Sequence, residues 1–306
     1  MRVEEELERF SPREDMLLTI GVFDGVHLGH RHLISNLVEL AHKQNLLSGV
    51  ITFRQHPREL LSPHNSLPYL TTITEREQLL KKEGVDIVVV LPFDRELRRL
   101  SARDFVSLLK KRLRMRGLVV GPDFALGKNR EGNVTVLSSL GKEMDFTVTV
   151  VPPKTIDGET VSSTAIRNAL AEGNMEKVTR LLGRPFSLQG KVIPGEHRGA
   201  KLGFPTANMN VDVKRAIPPD GVYAILVYID GQRYQAMTNI GKRPTFGEED
   251  ERIIESHILN YHQNLYGKEF KIEIIQRLRA EKRFNNIEEL KKQITEDVKR
   301  GSKILN

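Results

Sequence analysis

From Leu17 to Phe23 the chain is almost continuously apolar, and beyond it apolar residues recur at helical spacing, with Leu33, Leu37, Leu40 and Ala41 on one face. The switch from buried strand to amphipathic helix then repeats. Leu47–Phe53, Val85–Leu91, Leu118–Gly121 and Phe146–Val151 read as further strands. Thr74 and Glu77 have the spacing of a capping box opening a helix that ends near Gly84, and another helix begins at about Ser101. Strands this apolar on both faces, separated by helices, predict an α/β domain with a parallel sheet covered on each side. Ligands of such sheets bind beyond the carboxyl ends of the strands.

After Asn174 the pattern changes. A short helix closes at Leu182-Gly183, and most of the remaining chain is strand. Val222–Ile229 and Arg233–Ile240, joined by Asp230-Gly231, have the form of a hairpin with a favoured two-residue turn. Ile253–Leu259 and Phe270–Leu278 read as another antiparallel pair, joined around Tyr266-Gly267. Asn286 and Glu289 cap a final helix whose buried face is expected to hold Ile287, Leu290, Ile294 and Val298. The boundary is expected near Gly183–Ser187, giving domains 1–184 and 185–306.

Composition narrows the setting. The chain has 306 residues, 28% charged and 39% hydrophobic, the balance of an ordinary globular protein. It has no cysteine, which excludes disulfides and thiolate metal sites. The N-terminal MRVEEELERF lacks the apolar stretch of a signal peptide, and no apolar run is long enough to cross a bilayer. A cytoplasmic protein without membrane attachment is the expectation. Net charge is +7, with nine basic residues between Arg95 and Arg116. Phe105, Leu108, Leu109 and Leu113 repeat there at helical spacing without interleaved aromatics, so this is read as a solvated helix face rather than a nucleic-acid site. Excess positive charge also suits anionic substrates.

The first chemical constellation is Gly21-Val22-Phe23-Asp24-Gly25-Val26-His27-Leu28-Gly29-His30, on the turn from strand to helix. Free backbone N–H groups, a positive dipole end and two imidazoles meet there, and Gly29 allows a phosphate chain close approach. Two histidines alone make an incomplete zinc site. Thr52-Phe53-Arg54-Gln55-His56-Pro57 follows the second strand, Gly121-Pro122-Asp123-Phe124-Ala125-Leu126-Gly127 with Arg130 and Gly132 follows the fourth, and Ser162-Ser163-Thr164-Ala165-Ile166-Arg167 starts a helix.

In order and wording these segments resemble the flavin-adenylylating domain of the bacterial bifunctional riboflavin kinase/FAD synthetases, with GxFDGVHxGH, TFxxHP, GxDFxFGxxRxG and SSTxIR. The resemblance implies a Rossmann-like nucleotidyltransferase domain of HxGH type. In it His27, His30 and Arg167 would be catalytic, and Gly21, Phe23, Asp24, Gly29, Ser162, Ser163 and Thr164 would bind ATP. Phe53, His56, Asp123, Phe124 and Arg130 would line the flavin site. Leu126 stands where the family usually has a second phenylalanine, and Gln55 where it often has proline. Leu126 leaves open a second reading, in which one activity is retained and the other domain is regulatory or binds flavin or RNA.

The second constellation, from Gly190 to Asn208, is a glycine-rich cationic loop without a Walker pattern. If the segment after it is extended, Thr206 and Asn208 point the same way and offer two oxygens to one Mg2+. It resembles the riboflavin kinase loop GxVxxGxxRGxxLGFPTAN. It is followed by GVYA (221–224), NIGxRPTF (239–246), ExH (Glu255 and His257) and LRxExxF (278–284). The resemblance implies a six-stranded antiparallel β-barrel with a C-terminal helix. Gly195, Arg198, Gly199, Lys201 and Gly203 would bind ATP, Thr206 and Asn208 the metal, and Arg243, Pro244, Thr245 and Phe246 the flavin, with Glu255 as general base. The implied chemistry is ATP-dependent phosphorylation of riboflavin to FMN, then adenylylation of FMN to FAD. Mg2+ and ATP would be needed for both, with no nucleic-acid or obligate protein partner.

Overall fold

The first half of the chain alternates helix and strand. Helix α1 (Arg2–Glu8) precedes β1 (Met16–Ile20), and α2 (Leu28–Lys43) leads to β2 (Leu47–Phe53). Helices α3 (Pro57–Leu61) and α4 (Ile73–Lys82) lead to β3 (Ile87–Leu91), and α5 (Arg95–Arg99) and α6 (Ala102–Leu113) to β4 (Met115–Val120). A two-stranded ribbon, β5 (Ala125–Leu126) and β6 (Gly132–Asn133), comes before α7 (Val134–Met144) and β7 (Thr147–Val150). A second small ribbon, β8 (Thr155–Ile156) and β9 (Glu159–Thr160), ends this half. This computed structural model describes residues 2–61, 67–195, 199, 202–242, 252–261 and 263–306. The chain divides into two units, Met1–Ser163 and Thr164–Asn306.

In the first unit the order β3-β2-β1-β4-β7 makes one parallel sheet. Strand alternation fills both faces: Leu17 joins one apolar cluster, with Ile34, Leu37 and Ala41 of α2, while Met16, Leu18 and Ile20 join the other, with Phe105 and Leu109 of α6. The strand order reverses beside β1, which opens a crevice at the carboxyl ends of β1 and β4.

Two expectations are corrected here. Helix α4 is capped by Thr72 and Glu75, not Thr74 and Glu77. Thr72 Oγ1 accepts the Glu75 N–H at 3.1 Å, and the Glu75 carboxylate accepts the Thr72 N–H at 2.8 Å. The sequence offers the same Thr/Glu spacing in both registers. The helix that starts earlier turns Arg76 and Leu80, four apart, onto its buried face. Strand β1 also ends sooner, at Ile20, because the chain then turns through left-handed backbone at Phe23, where φ is 51°.

The second unit carries α8, whose span is Ser163–Ala171, and α9 (Met175–Leu182), which ends at a left-handed Gly183 and packs against the barrel. Strands β10 (Phe186–Ile193), β11 (Ala207–Asn210), β12 (Gly221–Ile229), β13 (Gln232–Lys242), β14 (Arg252–Ile258) and β15 (Glu269–Arg279) close into a barrel of order β10-β11-β14-β13-β12-β15. Its interior is filled by Leu188, Tyr223, Ile225, Val227, Ile272 and Ile274. The β12–β13 hairpin has Ile229 opposite Gln232, with both turn residues at positive φ (Asp230 49°, Gly231 81°), as its two-residue loop requires.

Strands β14 and β15 are not a pair: β14 lies between β11 and β13, and β15 between β12 and β10. Closing the barrel requires β15 to return to the first strand. The last helix, α10 (Ile287–Leu305), lies on the outside of the barrel, with Val298, Ile304 and Leu305 against Val222, Ala224, Met237 and Leu278. Gly301 permits the approach, since a Cβ there would fall 2.1 Å from Met237 Sδ. Ile287 is 61% exposed rather than buried; the apolar residues of this helix that pack on the barrel are Val298, Ile304 and Leu305, nearer its other end.

Candidate active sites

The Gly21–His30 turn of the first unit is built between β1 and α2. His27 is 4% exposed and is the N-cap of α2: its Nδ1 accepts the His30 N–H at 3.2 Å. A ring nitrogen that accepts carries no proton, so in the neutral ring the proton sits on Nε2. The His27 and His30 rings stack at 3.6 Å, and Phe23 meets His30 edge-on at 5.1 Å. Gly29 is required here: a Cβ would come within 2.8 Å of the Val161 carbonyl and 3.1 Å of the His27 ring.

Asp24 holds this turn in place from below. Its carboxylate, 2% exposed, accepts the backbone N–H groups of Leu70 and Thr71 and the Thr71 hydroxyl, at 3.0–3.1 Å. Arg76, 1% exposed, stands 3.7 Å away and donates to the Phe53 carbonyl at 3.0 Å. Asp24 thus faces the interior and joins the phosphate turn to the end of β2. Ser163 donates its hydroxyl to the Asp24 carbonyl at 2.9 Å, placing Ser162 and Ser163 beside the turn. Thr164 and Arg167 follow on α8.

Beyond β1, β2 and β4 lies a cavity of about 650 Å3. Gly21 and Val22 of the turn, Phe53, Asp123, Phe124 and Arg130 line it, as do Phe93, Leu97 and Phe105. Leu126 completes the apolar wall. Its loop is fixed to the start of α6: Lys128 N–H donates to Leu100 O at 2.8 Å, and Glu131 accepts the Ala102 N–H at 2.8 Å. Gly127, at φ 78°, has no room for a Cβ, which would lie 2.6 Å from Ala102 N. His56 is not part of this lining; its backbone N–H donates to the Tyr69 hydroxyl at 2.7 Å. Burial, then the hydrogen bond to Glu59, pushes the Tyr69 phenol up to about 12.

The second unit has its own cavity, of about 550 Å3, between the barrel wall and α10. Thr206, Asn239, Glu255 and His257 line one side, and Phe284, Leu290 and Ile294 the other. Glu255 sits opposite Asn208 on β11 and opposite Asn239 on β13. Asn208 is 7% exposed, and its Oδ1 accepts no hydrogen bond among the described residues. His257 donates from Nδ1 to the Pro205 carbonyl at 2.8 Å and meets Phe204 edge-on, which fixes the segment carrying Thr206. Thr206 also lines a smaller cavity of about 170 Å3, with Tyr261, Gln263, Asn264 and Tyr266. Arg279 and Asp297 tie α10 to β15 through hydrogen bonds of 2.8–3.1 Å.

Two separate family matches fall on these two units. The sequence model of FAD synthetase matches residues 10–165, and that of riboflavin kinase matches residues 182–305. The bifunctional riboflavin kinase/FMN adenylyltransferase of Escherichia coli (strain K12) is 40% identical over 290 residues, covering 94% of this chain and 92% of its own length. That of Listeria monocytogenes is 37% identical over 282 residues, covering 92% and 90%.

The chain belongs to the bifunctional riboflavin kinase/FMN adenylyltransferase family.

A crystal structure of a protein named as a macrolide-efflux protein from Streptococcus pneumoniae is 30% identical, with a TM-score of 0.89 over 98% of this chain and 96% of its own. That likeness extends the shared fold to the whole length; the efflux name is that protein's own. Among the described residues no helix is long and apolar enough to cross a membrane.

For a riboflavin kinase/FMN adenylyltransferase, the structure collects most of the residues that sequence singled out. His27, His30, Gly21, Phe23 and Gly29 form one turn; Phe53, Asp123, Phe124 and Arg130 share a cavity; Thr206 and Glu255 share another. Gly195 packs against Asn208, where a Cβ would strike the amide, and Gly199 lines the kinase cavity. Gly203 turns at φ 90° beside it. Arg198, Lys201, Arg243, Pro244, Thr245 and Phe246 lie outside the described residues. Sequence reasoning missed Phe93, although it too follows a strand at its carboxyl end. Leu290 and Ile294, expected on the buried face of the last helix, are half-buried and line the 550 Å3 cavity.

Proposed function

We propose that the chain runs both of the family's reactions, adenylylation within residues 1–184 and phosphorylation within residues 185–306. The protein phosphorylates riboflavin to FMN and adenylylates FMN to FAD. In the first unit, flavin occupies the 650 Å3 cavity with its phosphate toward Gly21 and Val22. That phosphate attacks the α-phosphorus of ATP, the new P–O bond replaces the bond to the β-phosphate, and pyrophosphate leaves. His27, His30 and the first N–H groups of α2 stabilise the charge gathering at the α-phosphate. Ser162 and Ser163 take the departing oxygens.

In the second unit Glu255 accepts the proton of the terminal ribityl hydroxyl, whose oxygen attacks the γ-phosphorus of ATP and releases ADP. Riboflavin fills the larger cavity and the nucleotide approaches from the smaller, with Thr206 between them. The buried Asn208 Oδ1 and the Thr206 hydroxyl are hard oxygen donors suited to Mg2+, which when bound neutralises phosphate charge. The observation that carries this reading is the pairing of Glu255 with Asn208 across adjacent strands, one carboxylate beside one vacant acceptor. We place the enzyme in the cytoplasm, with small-molecule substrates and without nucleic acid or an obligate protein partner. The deciding experiment is chromatography of riboflavin incubated with protein, ATP and Mg2+. FMN and FAD should both form, and chelating the metal should stop both; persistent FMN synthesis in excess chelator overturns the Mg2+ assignment.

A further inference from the structure

Next to the flavin cavity of the first unit is another, of about 480 Å3, lined by Leu60, Arg95, Arg98, Arg99, Lys128 and Asn129. Four cations and no carboxylate line it. Arg98 and Asn129 line both cavities, so the two adjoin. Elsewhere in this unit arginines are held by acids: Arg112 by Glu4 and Glu8, Arg114 and Arg116 by Asp15, Arg103 by Glu143. Among the described residues no such pairing engages Arg95, Arg98, Arg99 or Lys128.

Local stability does not account for this arrangement. Arg98 and Arg99 suit the last turn of α5, but Arg95 is its first residue, where a cation opposes the helix dipole. Asn129 and Arg130 both adopt left-handed backbone without being glycine, with φ of 55° and 61°. Strain of that kind persists where the surroundings enforce it, and it concentrates at ligand sites. The acids nearest in sequence are otherwise placed: Asp94 caps α5 and Glu131 accepts from Ala102, leaving Glu96 on the same helix.

We propose that this basic cavity is a vestibule that draws in the phosphate of an incoming FMN before the phosphate settles at the histidine turn, so that the unit favours the phosphorylated flavin over neutral riboflavin. FMN has the matching chemistry: a planar ring for the apolar cavity and a dianion for the cations. Long-range attraction of this kind acts on encounter, not on the chemical step. The inference rests on the flavin reading of the larger cavity.

The test is the full-length Arg95→Ser/Arg99→Ser/Lys128→Ser variant, all three residues being exposed. FAD formation is measured at saturating ATP over a range of salt concentrations. The KM for FMN should rise about tenfold with kcat unchanged, and the salt dependence of kcat/KM should flatten, as lost steering predicts. The KM for ATP should not move. An unchanged KM for FMN and an unchanged salt slope overturn the vestibule, as does an equal rise in the KM for ATP, which would reveal only a general field. Phe124→Ala separates the two claims: if it leaves FMN binding intact, the flavin reading of the larger cavity is what fails.

Discussion

The two sites put their charge in opposite ways. The first unit gathers imidazoles, hydroxyls and helix N–H groups at the ends of parallel strands, and its buried carboxylate Asp24 faces the interior. The second places Glu255 on an outer barrel wall, at the edge of a cavity. On the proposed assignment, the nucleophiles would account for the difference. An FMN phosphate is already ionised near neutrality, its second pKa being about 6, so the first site needs only cationic and hydrogen-bonding groups. A sugar hydroxyl is neutral and requires a proton acceptor.

That contrast is open to direct attack. Glu255→Gln should lower FMN formation by about 10²–10⁴-fold while FAD formation from supplied FMN continues; assays of both steps on one preparation check it. If the variant loses both activities while folded, the two sites are not independent. His30→Ala should do the reverse, cutting FAD formation by about 10²–10³-fold with FMN synthesis intact. Asp24→Ala strands the buried Arg76 without its carboxylate. It should cost about 3–5 kcal/mol, read as a fall in the denaturation midpoint of the first unit's transition. A midpoint at the wild-type value would show that the Asp24–Arg76 contact is not structural.

The smallest effect separates capping from chemistry at one residue. His27→Ala should lose both the imidazole proposed to act on the α-phosphate and about 1 kcal/mol of helix-cap stability. His27→Asn, a good cap, should keep the stability and still fail to make FAD. Paired melting curves and pyrophosphate release measurements distinguish them.

The parallel sheet was legible because its strands are apolar on both faces; β2 matches the expected Leu47–Phe53 at both ends. The β12–β13 hairpin was equally clear, since Asp-Gly fixes its turn. Failures came where sequence is degenerate or where pairing is long-range. Two Thr/Glu pairs compete for the α4 cap, and only the burial of Arg76 decides between them. The partners of β14 depend on barrel closure, which no local spacing encodes. Motifs singled out the His27–His30 turn and Glu255, but not the inward orientation of Asp24, which depends on Leu70 and Thr71, 46 and 47 positions away.

Helix α10 has the look of a tail, yet Leu290 and Ile294 supply one side of the kinase cavity, and Gly301 seats it on Met237. A chain ending after Arg279 would keep all six barrel strands, Glu255 and both oxygen donors, and, if riboflavin binds as proposed, would leave it with half a room. Truncation there would silence the first step of flavin activation without removing a single reacting group.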